Sequence, residues 1–407
     1  MPKLLQINVA VNYGSTGKIA EQIGQLAMQR GWDSYIAHGR YINPSKSKSI
    51  QIGCKFDWIY HALMTRITDR HGLFSKIATR RFIREVERIK PDIIHLHNIH
   101  GYYINYKVLF EYLRSVNTPV VWTLHDCWTM TGHCSYFDYA KCDRWQTACY
   151  ECPQKKTYPS SLIFDRSKNN YIVKRKLFSS VEGLILVPVS NWLAQLVQRS
   201  FLNRKPIEVI HNGIDVNVFA PCAAYNLIEQ FNLRGKKVVL GVALPWSKRK
   251  GLEDFYKLYD ILPQSVYQIV LIGLTKAQIN DTPKGVIALQ KTNNAKELAQ
   301  WYSVADVLVN PTYEDNYPTT NLEAISCGTP VVTYRTGGSP ESVTPLTGRV
   351  VEQGDLQGVV NAVEELCAED REEMRKRCRE YAVNNFDKEQ NYEEYLKLYE
   401  NILNNTK

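Results

Sequence analysis

The sequence contains no apolar run near the ~20 residues that a membrane-spanning helix needs, which excludes helical membrane-spanning classes. It has no low-complexity tract and no fixed-period repeat, so solenoids and fibrous assemblies are excluded too. Its start, "MPKLLQINVAV", does not combine a basic region, a long apolar stretch and a small-residue cleavage site. No signal peptide is therefore expected, and the expected location is cytoplasmic. The formal charge is +9. That excess suggests an anionic partner, but basic and aromatic residues do not interleave as in a nucleic-acid-binding motif, so no nucleic-acid partner is expected.

A complete P-loop is missing as well. "NYGSTGKIAEQIG" (12–24) follows the apolar run 4–11 and precedes a helical pattern with Ile19, Ile23 and Leu26. The P-loop needs Gly, four residues, then Gly-Lys-Ser/Thr. Position 12 is Asn, and Ile19 stands where the magnesium-binding hydroxyl belongs. What remains is a Gly-rich turn: Gly14 and Gly17 permit a close approach, and the following helix start offers free N–H groups to a phosphate. Ser15 and Thr16 become acceptor-side candidates, with Lys18 a further one that could instead point into solvent.

What is present fits a folded protein of two domains: 407 residues, 44% apolar and 22% charged. Short apolar strands alternate with helical patterns. In the first half they are "LLQINVAV", "SYIAHG", "PDIIHLHN" (91–98), "PVVWTLHD" (119–126) and "LILVPV", which leads into "SNWLAQLV". A turn-rich stretch, "VIHNGIDVNVFAPC" (209–222), marks the domain boundary. A second series follows: "KKVVLGVAL", "VYQIVLIG", "GVIAL", "ADVLVNP" and "TPVVTY". The pattern predicts an α/β protein with two doubly wound parallel sheets. The expected divisions are 1–215, 216–385 and a C-terminal helix in 386–407 that packs back toward the first domain. Ligands of such sheets bind beyond the carboxyl ends of strands, where His95, His97, His125 and Asp126 fall.

Two further segments stand out. In 75–90, Ile77, Phe82, Val86 and Ile89 recur at helical spacing between Arg80, Arg81, Arg84 and Arg88. This is a helix with either a solvated basic face or a membrane-surface contact. Between 127 and 152 lie five of the ten cysteines. Cys134, Cys142, Cys149 and Cys152 could hold a structural zinc, or be reduced, packed or partly disulfide-linked.

The densest chemistry is "NPTYEDNYPTTNLEAISCGTPVVTY" (310–334). Pro318 suits the first turn of a helix, and Thr319 and Thr320 place hydroxyls and N–H groups at its start, a seat for diphosphate. Asp315 and Glu323 can accept hydrogen bonds from sugar or ribose hydroxyls, although Thr320 and Glu323 also have capping-box spacing. This stretch resembles the donor-site signature of GT-B glycosyltransferases of family 4: an acid, seven residues, Glu, then Cys-Gly-Thr-Pro-Val-Val. "PVSNWLA", "VIHNGIDVNVF", "RKGLEDF" and "TGGSPESV" are similar to other landmarks of the family. "GSTGKI", "HLHNIHGYYIN" and "TLHDCWTMTGHC" resemble a subgroup that acts in bacterial surface-polysaccharide assembly.

The resemblance implies two Rossmann-like domains facing across a cleft that holds a nucleotide-sugar donor. It implies retaining transfer to an acceptor hydroxyl, on a saccharide or lipid-linked saccharide, with no catalytic metal. By the same resemblance, Glu323 holds the ribose and Asp315 faces the donor sugar. Glu314, one residue out of frame, is the alternative acid, and Asn316 and Tyr317 complete the donor loop. Lys250 and Arg249, with Lys248 beside them, would steady the leaving diphosphate, since Val242 stands where the family usually has Arg. His125 would lie near the donor sugar, Asp126 on the acceptor side, and Glu341 in a turn beside the donor. A nucleotide-sugar epimerase, or a weakened sugar- or lipid-binding subunit, remains open at this point. A peripheral position at the inner membrane face fits the lipid-linked acceptor.

Overall fold

A computed structural model describes residues 1–406. It divides into two compact units: Met1–His211 together with the chain from Tyr392 onward, and Asn212–Asn391. The division falls a few residues before the expected boundary at 215. The last helix, Lys388–Thr406, begins in one unit and ends in the other.

The first unit has six strands: β1 (Lys3–Val11), β2 (Asp33–Ile42), β3 (Lys48–Gln51), β4 (Ile93–Leu96), β5 (Val120–Leu124) and β6 (Leu184–Pro188). All its pairings are parallel, in the order β3-β2-β1-β4-β5-β6. β4 and β5 are buried at every position, as expected of continuous apolar strands covered on both faces. Helices that matter below are α1 (Gly14–Gln29), α2 (Lys55–Thr68) and α3 (Lys76–Ile89). α1 starts at Gly14, within the Gly-rich turn itself. The last helix closes this unit's core: Tyr392, Tyr395, Leu396 and Tyr399 are buried with Leu4, Ile23 and Val121.

The second unit repeats the theme with β7 (Lys237–Val242), β8 (Tyr267–Ile272), β9 (Ile287–Leu289), β10 (Val307–Asn310), β11 (Val331–Tyr334) and β12 (Gly348–Val351). Their order is β12-β11-β10-β7-β8-β9, again all parallel. In each sheet the chain first winds one way from a central strand, then returns to that strand's other side. The reversal lies between β1 and β4 in one unit and between β7 and β10 in the other. Loops leaving those strands diverge, and the crevice they leave is where open α/β sheets bind ligands.

Candidate active site

In the second unit the crevice is built from two loops. One follows β7 and turns through Lys248–Lys250; the other follows β10 and runs from Pro311 to Pro318. They are joined in both directions. Tyr313 N–H donates to Arg249 O (2.8 Å), and Arg249 Nη1 donates to Glu314 O (2.8 Å). Lys250 Nζ donates to Asp315 Oδ2 at 2.5 Å, with both side chains largely buried. The Glu314 carboxylate is buried and stands 4.0 Å from Arg249 Nε. Lys248, in contrast, is exposed and faces Glu253 at 3.6 Å.

Two glycines make this approach possible. Gly251 has φ +75, and a Cβ there would sit 2.2 Å from Pro311 O. Gly337 has φ +55, and its Cβ would sit 1.9 Å from Asp315 O. Neither position admits a side chain without moving the loop that carries Asp315. Gly337 belongs to the "TGGSPESV" landmark, whose serines also have work: Asn321 Nδ2 donates to Ser339 Oγ (3.1 Å) and Ser342 Oγ (3.0 Å). Asn310 Nδ2 in turn donates to Asn321 Oδ1 at 2.8 Å.

The helix Thr319–Ser326 starts directly after this loop. Pro318 is its N-cap rather than a residue of its first turn, and no side chain caps it. Thr319 and Thr320 are half-buried at the helix start, whereas Asn316 and Tyr317 are buried. Glu323 does not use its capping-box spacing toward Thr320. Its Oε2 accepts from the buried Tyr302 hydroxyl at 2.9 Å, which fixes the carboxylate's direction.

The first unit's crevice collects other expected residues. Gly17 is buried, and its Cβ would meet Ala10 O at 3.2 Å, so it lets α1 close on the end of β1. Gly14 has φ +64, Ser15 and Lys18 are exposed, and Thr16 Oγ1 accepts from Asn8 Nδ2 at 3.4 Å. His125 and Asp126 leave β5 as expected. Gln6 Nε2 donates to Ala20 O (2.7 Å), which turns Gln6 Oε1 toward His97 Nε2 (3.0 Å). His97 is thus the Nε2–H tautomer, and its Nδ1 accepts from His125 Nε2–H at 3.1 Å. Burial pushes His125 down to about 4, against the opposing pull of Asp126, so its imidazole is neutral at pH 7. Burial alone would raise Asp126. The charge and hydrogen bond of His100, at 3.0 Å, with a bond from Trp128 N–H, outweigh burial and hold Asp126 below its usual range. His100 Nδ1 meets the Tyr158 hydroxyl at 3.0 Å.

Sequence reasoning missed Gln6, His100 and Tyr158. His95 differs from its neighbour His97. It is sealed under the last helix, between Thr123 Oγ1 (2.7 Å) and the Tyr399 hydroxyl (2.6 Å), and serves packing.

Cys134, Cys142, Cys149 and Cys152 line one small cavity with His133. All are free thiols, and among the described residues no group of three or more His, Cys, Asp or Glu is arranged to hold a metal ion. Cys134 donates to Cys152, which pulls the Cys152 thiol down to about 7. Cys149 Sγ accepts from Gly132 N–H at 3.1 Å. His133 Nδ1 meets Asp69 Oδ1 at 2.5 Å, while its buried Nε2 has no partner. A separate open cavity of ≈ 770 Å³ is lined by Arg175, Lys176, Arg199, Arg204 and Lys205, and it shares no residue with either crevice.

Family models match both halves of the chain. "Glycosyltransferase Family 4" matches residues 19–218, and "Glycosyl transferases group 1" matches 226–385. The chain belongs to the GT-B glycosyltransferases. WcaC of Escherichia coli, named for glycosyl transfer in colanic acid biosynthesis, is 24% identical over 384 residues, 88% of this chain and 89% of its own. The fold is similar to a sucrose-phosphate synthase from Thermosynechococcus elongatus (TM-score 0.73, 17% identity, 99% of both chains). It is also similar to Anabaena HepE in complex with UDP (TM-score 0.68, 14% identity, 98% of this chain and 100% of that one). Among the described residues, no helix of this glycosyltransferase is long and apolar enough to cross a membrane.

Proposed function

We propose that this glycosyltransferase moves a sugar from a nucleoside-diphosphate sugar to an acceptor hydroxyl with retention at the anomeric carbon. The acceptor we infer is a lipid-linked or growing saccharide of surface-polysaccharide assembly, in line with the colanic-acid name carried by WcaC. The observation that carries the reading is the Lys250–Asp315 pair at the switch point of the second sheet, with Arg249 bonded to the same loop. Negative charge grows on the outer phosphate as the glycosidic bond breaks. Fixed cations there stabilise the transition state more than the ground state, provided they need no reorganisation. Lys250 and Arg249 meet that condition, because each is held by the loop that carries the sugar-facing acid.

Asp315 is the acid we assign to the donor sugar. Glu314 is buried toward Arg249, whereas Asp315 is more accessible and meets the Lys250 cation. Glu323, aimed by Tyr302, is assigned to the ribose hydroxyls. Thr319 and Thr320 offer the helix start to the diphosphate. The mechanism needs no enzyme nucleophile: the acceptor attacks on the face that the diphosphate leaves, and a diphosphate oxygen takes its proton. Neutral His125, fixed in one tautomer, can hydrogen-bond a sugar hydroxyl without adding charge. No catalytic metal enters this scheme. For the cysteine segment we propose a structural zinc. Support comes from the cavity that the four thiols share with His133.

The test is release of nucleoside diphosphate from a panel of nucleotide sugars, with and without lipid-linked acceptors. Acceptor-dependent release from at least one donor is expected. Nucleotide binding without any turnover would refute transferase activity.

A further inference from the structure

The first unit carries an apolar surface that the glycosyl-transfer chemistry does not use. The water-facing stripe of α2 is Phe56, Ile59, Tyr60 and Leu63, exposed by 84%, 55%, 55% and 55%. Their spacing is that of a helix's packing face. Yet α2 packs through its other side, where His61 and Thr65 are buried. Beside its C-terminal end three consecutive apolar residues also face water: Leu162 (66%), Ile163 (60%) and Phe164 (51%). They are held there by Leu162 N–H to Arg66 O (2.7 Å) and Phe164 N–H to Ile67 O (3.4 Å). Such a concentration of exposed apolar side chains is rare on a monomer surface and marks an interaction site.

The charge around it has one sign. Between Lys55 and Lys90 nine Lys and Arg face four Asp and Glu. Of those acids, Asp69 is buried against His133 and Asp57 is bonded to the N-cap of α2. Arg66, Arg70, Lys76, Arg80, Arg81 and Arg84 are all exposed. Apolar side chains rimmed by cations complement a bilayer with anionic headgroups. α3 has the opposite construction from the expected contact in 75–90. Its Phe82 and Val86 are buried, so it offers cations but little apolar surface beyond Ile77.

We propose that α2 and the 162–164 loop dock this protein on an anionic bilayer, with the α3 arginines at the headgroups. The patch also leads toward the acceptor-side residues. The ring of His61 on α2 lies 6.0 Å from that of Tyr102, which lies 6.0 Å from that of Tyr158, which meets His100 and so Asp126. The inference deepens the lipid-linked acceptor reading but is measured without any sugar nucleotide, so the two can fail separately.

The experiment is co-sedimentation of the full chain with phosphatidylcholine vesicles and with vesicles containing about one-third phosphatidylglycerol. Binding to the anionic vesicles, weakened by salt, is expected. Phe56→Ser with Leu63→Ser, and separately Ile163→Ser with Phe164→Ser, should each weaken it by about tenfold or more. Arg80→Gln with Arg84→Gln should weaken it severalfold while leaving the apolar patch intact. These positions are exposed, so thermal unfolding should match the wild type. Absence of vesicle binding by the wild type, or serine variants that bind like it, would overturn the proposal. So would a dimer in sedimentation velocity that the Phe56→Ser, Leu63→Ser variant loses, because the patch would then be covered by a second copy.

Discussion

Replacing Lys250 with Ala tests the proposed chemistry most directly. The ammonium lies 2.5 Å from Asp315 Oδ2, and both side chains are largely buried (21% and 15% exposed). Its removal takes one preorganised cation from the site where the leaving diphosphate develops charge. Loss of one such group costs about 10²–10³ in kcat, or about 3–4 kcal/mol of transition-state stabilisation. The fold should survive. Leaving the largely buried Asp315 carboxylate unpaired costs at most about 3–5 kcal/mol, no more than the lower end of the ~5–15 kcal/mol that typically separates folded from unfolded domains. The assay has two arms: initial rates of nucleoside diphosphate release across a donor titration, and donor affinity by calorimetry. Turnover should collapse while affinity changes severalfold at most. The cycle completed with Asp315→Asn and the double variant should be strongly non-additive, because the two groups act as a unit. Equal losses in turnover and affinity, or additive single effects, would refute the assignment of Lys250 to the transition state.

Gly337→Ala should lower activity at least about tenfold without touching any reacting group, because its Cβ would press on Asp315 O and displace the loop; wild-type rates in this variant would show that the loop is not held there. Acidification should destabilise the first unit: burial holds His61 at about 3 and His125 at about 4, and keeps His71, His95 and His97 well below 6.5. The unfolded chain takes up protons near pH 6.5 that the folded one refuses, so this stability is whole above 6.5 and lost as pH falls. Each such histidine costs about 1.4 kcal/mol between pH 7.5 and 5.5, and a urea midpoint that stays flat across that range would contradict the burial argument. Protein purified without chelators should carry about one zinc, removable together with order in residues 127–155; less than about a tenth of an equivalent by elemental analysis would end the zinc proposal.

The sequence was most legible where one physical cause dominates. β4 and β5 are short, mostly apolar segments that fit doubly covered strands, and their carboxyl ends delivered His97, His125 and Asp126 to the crevice. The donor loop was legible because its residues are neighbours in the chain. What escaped depends on contacts far apart in sequence. His95, on β4, and His97, just past its end, are two residues apart and look alike. Their fates are decided by Tyr399, some three hundred residues later, and by Gln6, some ninety earlier. His100, Asp126 and Tyr158 form one chain of contacts from three loops, and no spacing rule joins them. Gly337 reads as a turn residue, and only its approach to Asp315 O shows why a side chain is excluded.

The helical stripes make the same point in reverse. Spacing alone gives α2 and α3 an apolar face each, and the rule that apolar faces turn inward would bury both. For α3 it does so at Phe82 and Val86. For α2 it fails, because this helix is anchored through polar partners on its other side. His61 Nδ1 meets Ser75 Oγ at 2.9 Å, and its Nε2 accepts from Gly72 N–H at 3.1 Å. A buried histidine with both ring nitrogens engaged favours this rotation of the helix, since turning the stripe inward would break both contacts. The exposed apolar face of α2 thus lies opposite a specific internal anchor. Replacing His61 with Leu should release that constraint. If α2 then rotates, protease sites at Phe56 and Leu63 should become protected and vesicle binding should fall together with their exposure. Unchanged cleavage at both sites would show that the rotation of α2 is set elsewhere.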